Sequence, residues 1–88
     1  MTTKPPSAVR AGSEESQEAI AYACVQNIPT AEPHDQDRLG YNLWRWLTQR
    51  KDTLEMAVRS AGSRLLISED EAIKRIRENL RQRGIAVD

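Results

Sequence analysis

Ile67-Ser68-Glu69-Asp70-Glu71-Ala72-Ile73-Lys74-Arg75-Ile76-Arg77-Glu78-Asn79-Leu80-Arg81-Gln82-Arg83-Gly84 is a helix with its start, its stop and its charge order written in. Ser68 and Glu71 have the spacing of a capping box, in which the Ser oxygen takes a free amide and the Glu reaches back. Acids fill the first turn and bases the last, as the helix dipole favours. Gly84 suits the left-handed position after the last turn, and Ile85 is then placed to pack back on that turn. Ala72, Ile73, Ile76 and Leu80 make the inward face. This stretch sets the expectation for the rest of the chain, a small all-α domain.

Working back, Ser63-Arg64-Leu65-Leu66-Ile67 is short and apolar, and reads equally as an extended linker or a helical turn. Before it stands an amphipathic segment. With Leu39 at 0° and 100° per residue, Leu43 falls at about 40°, Trp46 at about 340°, Leu47 at about 80°, Leu54 at about 60°, Ala57 at about 0° and Ala61 at about 40°. One apolar stripe thus runs from Leu39 to Ala61 in constant phase. Asp52-Thr53-Leu54-Glu55 is a second box-like start, which allows a break near Lys51. Phase continuity favours one long or gently kinked helix ending at Gly62.

Pro29-Thr30-Ala31-Glu32-Pro33-His34-Asp35-Gln36 reads as a two-proline loop, with Asp35 or Asp37 capping the helix that follows. Upstream, Ser13 before Glu14 and Glu15 is a candidate N-cap, and Ile20, Ala23, Cys24 and Ile28 share one helical face. Pro29 requires that helix to end near Asn27. Residues 1–12 hold two prolines, a glycine and no apolar period, and are expected to form a disordered tail before a single domain over 13–88. The fold expected is therefore all-α, a three- to four-helix bundle or helical hairpin with a disordered N-terminal tail. Sheet readings fail for want of period-2 segments.

Eighty-eight residues build one small domain, and cores of that size often lean on a partner or a second copy. The single cysteine, Cys24, cannot form an internal disulfide, which fits a reducing compartment and a cytoplasmic location. No run approaches 18 apolar residues, so no spanning helix is expected, and no apolar leader segment is read at the start. The net charge of zero hides an asymmetry. Residues 1–37 carry Lys4 and Arg10 against six acids, while residues 38–88 carry eleven bases against seven acids.

Two surfaces stand out as candidate sites. On the wheel above, Tyr41 sits at about 200° and Trp44 at about 140°, away from the leucine stripe. A helix that buries one stripe is ordinarily polar opposite, so two large aromatics there mark a second contact. Tyr and Trp are the usual anchors of such contacts, and Tyr41, Trp44, Arg45 and Trp46 are the expected protein interface. Gly40 in the first turn would let another backbone come close on that side. The other surface is basic. Lys74, Arg77 and Arg81 line one side of the last helix, a pattern that suits phosphate, with Asp70 and Glu78 placed to neutralise it. A helix-turn-helix over residues 53–83 fails on spacing, because the interhelical gap is long and Ser68 stands where an apolar residue is needed.

Chemistry-bearing patterns are missing elsewhere. His34, beside Asp35, is the only histidine and lacks the company a metal site needs. Cys24 sits on an apolar stripe with no base near it in sequence, the setting of a small buried hydrophobe. No phosphate loop or zinc spacing occurs, so no cofactor, metal, catalytic residue, small-molecule substrate or membrane partner is expected. The sequence thus leads to a small non-enzymatic regulator or adaptor acting through helix-mediated protein contact or homodimerisation. The alternative is a nucleic-acid-binding regulator using Lys74, Arg77 and Arg81.

Overall fold

The computed structural model describes residues 16–87 and contains four helices there: α1 (Gln17–Val25), α2 (Pro33–Gln49), α3 (Leu54–Ser60) and α4 (Glu69–Gln82). No strand occurs among the described residues, only an isolated antiparallel bridge between Thr30 and Leu65. The all-α expectation holds. The expected tail over residues 1–12 and the expected cap Ser13 lie outside the described residues.

α1 is capped by Ser16, whose Oγ accepts the Ala19 N–H at 3.1 Å. It ends ahead of Pro29, as that proline demands. Its core face is Ala21, Cys24 and Val25, continued by Ile28. α2 starts earlier than the loop reading allows. Pro33 occupies N1, where a missing N–H is harmless. Asp35 does cap this helix, but from N3, its Oδ2 accepting the Glu32 N–H at 3.1 Å.

The long helix expected over Leu39–Ala61 is two helices. Arg50 takes the left-handed conformation (φ 52, ψ 38) and closes α2 with its N–H on the Trp46 carbonyl at 2.7 Å. Thr53 then caps α3, its Oγ1 accepting the Met56 N–H at 3.2 Å. The indole Nε1 of Trp46 donates to the Asp52 carbonyl at 2.7 Å, and the Arg50 guanidinium lies 4.3 Å over the same ring. A left-handed non-glycine residue costs about 1–2 kcal/mol; the cap, the indole bond and the cation–π contact offset it. α3 folds back along α2, where Asn42 Nδ2 donates to the Ala57 carbonyl and to Ser60 Oγ. The stripe residues Leu54, Ala57, Val58 and Ala61 are all buried, so their faces are legible in the sequence while their connection is not.

Gly62, at φ +68, ends this hairpin. Residues 63–67 form no helix, bend at Leu66 and Ile67, and clasp the α1–α2 loop: Ala31 N–H donates to the Arg64 carbonyl and Leu66 N–H to the Pro29 carbonyl, both at 2.9 Å. α4 is built as its sequence reads. Ser68 Oγ accepts the Glu71 N–H at 3.1 Å, though the Glu71 carboxylate turns to Arg75 Nε at 3.0 Å instead of reaching back. At its end Ile85 N–H reaches the Leu80 carbonyl and Gly84 N–H the Arg81 carbonyl, both at 3.0 Å, with Gly84 at φ +78. This is the Schellman pattern. Leu39, Leu43, Leu47, Ile73, Ile76 and Leu80 fill the core between the helices.

Candidate interaction surface

α2 presents three sides. Its leucine stripe faces the core, its Asn42 side carries α3, and its Gly40 side carries α1. The α1 contact is close because Gly40 has no side chain. The Tyr22 ring lies where a Cβ would stand, with Cδ1 and Cε1 each 2.5 Å from that point. The neighbour admitted at Gly40 is thus an aromatic ring rather than a backbone. Gln36 Nε2 bonds the carbonyls of Val25 at 3.1 Å and Ile28 at 2.9 Å, so α1 runs antiparallel to α2. α1 is nine residues long and α2 seventeen, so α1 covers only part of the length of α2.

Beyond that contact the outer side of α2 is aromatic. Tyr41 and Trp44 pair with ring centroids 5.7 Å apart and planes tilted by 42°. Trp44 is half-buried against the core, while Tyr41 keeps 52% of its surface exposed. α1 therefore takes up the Gly40 side and leaves Tyr41 exposed, with Trp44 partly buried beside it. The phenol of Tyr22 is pushed above its ordinary pKa, first by burial, then by the nearby carboxylates of Asp37 and Glu18 and by Tyr41.

The other two residues expected at this surface go elsewhere. Trp46 is only 5% exposed and belongs to the core, its indole spent on Asp52 and its face on Arg50. Its place on the leucine stripe agrees with that burial. Arg45 is exposed but turns to a notch of about 70 Å³ that it lines with Asn42, Trp46, Gln49, Lys51 and Asp52. The surface that remains is Tyr41 and Trp44, with Tyr22 beside them.

On α4, Lys74 and Arg81 are exposed, while Arg77 between them is half-buried. Asp70 does not neutralise Lys74. Arg59 of α3 holds Asp70 at 3.1 Å and Glu69 at 2.6 Å. Lys74, Arg77 and Arg81 form no ion pair among the described residues, and the Nε of Arg77 is buried without a hydrogen-bond partner.

Asp35 is a buried polar residue whose place in the sequence suggests only a cap. It is 1% exposed. Its Oδ2 meets Arg64 Nε at 3.3 Å and the Glu32 N–H at 3.1 Å, and Ser63 Oγ donates to its backbone carbonyl at 2.8 Å. Burial raises the carboxyl pKa. The Arg64 amide and guanidinium, the neighbouring His34 and the Glu32 amide outweigh it and hold the pKa below its ordinary value. These contacts tie the start of α2 to the linker before α4. His34 is exposed, with Nε2 4.0 Å from Asp35 Oδ1, and Cys24 is fully buried. No group of three or more His, Cys, Asp or Glu suited to a metal occurs among the described residues, and no helix there is long and apolar enough to cross a membrane. Compared with known proteins, the chain matches no family model, no curated protein and no solved structure.

Proposed function

We propose that this chain is a non-enzymatic regulatory or adaptor module, cytoplasmic, that works by helix-mediated contact with another protein or with a second copy of itself. The observation that carries the reading is the Tyr41–Trp44 pair. Two paired aromatics stand 5.7 Å apart on the outer side of a helix whose other sides are already packed, and one of them is half open to solvent. Aromatic side chains bring large contact area at little entropy cost and dominate the energetics of protein interfaces. A chain with one small core gains stability from such an association. Sedimentation equilibrium at low and high salt tests it. A salt-resistant self-association, or a complex with a protein partner, that weakens on Trp44→Ala supports the reading; association indifferent to Trp44→Ala refutes it.

A second reading has its own observation. Arg59 draws Asp70 away from Lys74, so the cations Lys74, Arg77 and Arg81 have no acid bound to them among the described residues. That stripe suits a nucleic-acid backbone. Binding to duplex DNA that falls steeply with salt, with Arg77→Ala lowering the salt slope by about one, supports it. No retention on DNA at low salt removes it.

A further inference from the structure

The aromatic pair does not stand alone. Asp37 precedes Tyr41 by one turn of α2, and Glu18 precedes Tyr22 by one turn of α1, so each carboxylate shares a side with an aromatic. The two helices run antiparallel with the Tyr22 ring seated on Gly40, which brings these two sides together. In keeping with that arrangement, the Tyr22 phenol is pushed above its ordinary pKa by burial first and then by Asp37, Glu18 and Tyr41.

Glu18 and Asp37 are exposed and hold no ion pair among the described residues. The arginines of α2 form no ion pair with them. Arg38 Nη1 reaches the Gly62 carbonyl at 3.4 Å, and Arg45 faces the notch beside Asn42. The result is a ledge of aromatic faces rimmed by two carboxylates that form no ion pair among the described residues.

We propose that this ledge, made by Glu18, Tyr22, Asp37, Tyr41 and Trp44, receives a lysine- or arginine-bearing segment of a protein partner. This rests on the reading of Tyr41 and Trp44 as a contact surface and names the chemistry of what meets it. A guanidinium or ammonium is attracted to the face of Trp or Tyr, and its methylene stem covers apolar surface. The carboxylates at the rim steer the same cation and repel acidic segments and phosphate. The ledge is thus opposite in preference to the basic side of α4.

Titration of the full-length, 15N-labelled protein with a hexa-arginine peptide tests this, because the two indole N–H signals serve as local probes. The Trp44 signal shifts on binding, while that of Trp46, bonded to the Asp52 carbonyl, stays in place. A double variant Glu18→Gln/Asp37→Asn, both exposed positions, binds about three- to tenfold more weakly, on the scale of exposed cation and ion-pair contacts. Added salt weakens wild-type binding, Trp44→Ala removes it, and hexaglutamate leaves both signals unmoved. The proposal is overturned if the wild type takes up no peptide, if hexaglutamate binds equally, or if the double variant binds as tightly as wild type. It is also overturned if the Trp44 signal moves only with protein concentration, which makes a second copy the occupant. In each of these cases the contact reading of Tyr41 and Trp44 stands or falls separately, on whether Trp44→Ala weakens association.

Discussion

The Tyr22 ring occupies the space above Gly40 that any other residue would fill with a Cβ, its Cδ1 and Cε1 each 2.5 Å from that position. This contact sets how close α1 lies to α2, and so which part of the α2 surface stays uncovered. Gly40→Ala forces the ring to move, and because Cγ is also only 3.2 Å away the shift involves the root of the side chain. Overpacking of this kind destabilises by about 1–3 kcal/mol, against a gain of about 1 kcal/mol in helix propensity. Thermal unfolding should show Gly40→Ala less stable than wild type. In a Tyr22→Ala background the same change should become neutral or stabilising. Equal destabilisation in both backgrounds contradicts the contact.

The break between α2 and α3 rests on Thr53. Its hydroxyl takes the Met56 N–H, and Thr53→Ala removes that cap at a loss of about 1 kcal/mol. Trp46→Phe removes the indole donor to the Asp52 carbonyl at the same corner, a further loss of about 1–2 kcal/mol including the smaller ring's poorer fill. The two residues shape one turn, so the double variant should show a coupling term in denaturant unfolding. Strict additivity, or no effect from Thr53→Ala, argues for a continuous helix instead.

Much of this fold is legible in the sequence and some is not, for identifiable reasons. α4 carries its cap, dipole-matched charges and terminal glycine within one uninterrupted stretch, and every one of those local signals agrees with the packing. The Leu39–Ala61 stripe marks the buried faces, but constant phase does not distinguish a helix that continues from one that turns back. The turn depends on a left-handed arginine stabilised by an indole bond and a ring contact, which no periodicity registers. Pro33 and Asp35 read as loop when proline is treated as a stop, although at N1 it starts a helix. Of the surface, Tyr41 and Trp44 follow from the helical wheel. Trp46 joins them only by adjacency in sequence, and the same wheel places it inward. Tyr22 and Glu18 come from another helix, and seeing them beside Asp37 and Tyr41 requires the α1–α2 register.

Asp35 gives the fold an acid sensitivity of defined sign. Its carboxyl titrates lower folded than unfolded. It therefore contributes stability that is fully present above the ordinary aspartate pKa and is lost as pH falls through the depressed folded value. Chemical denaturation as a function of pH should show this loss in the acid range below the ordinary aspartate value. Asp35→Asn should be less stable at neutral pH, because Arg64 loses its counter-charge, and should show a flatter acid limb. An unchanged acid limb in Asp35→Asn contradicts the role.

Gly84 offers a control at the far end of the molecule. At φ +78, with no heavy atom within 4 Å of where a Cβ would stand, Gly84→Ala strains the backbone without any clash. The expected loss is about 1 kcal/mol in thermal unfolding, with association unaffected.

Whether Trp44 is a contact residue or only part of the core decides the functional reading, and one paired measurement on Trp44→Ala tests it most directly. Sedimentation equilibrium, of the protein alone and with the hexa-arginine peptide, gives association; thermal unfolding of the same samples gives stability. Association is expected to weaken by about 2 kcal/mol or more, roughly 30-fold, with a smaller loss of monomer stability. A variant that melts earlier yet associates as wild type does would contradict the contact role and return Trp44 to the core.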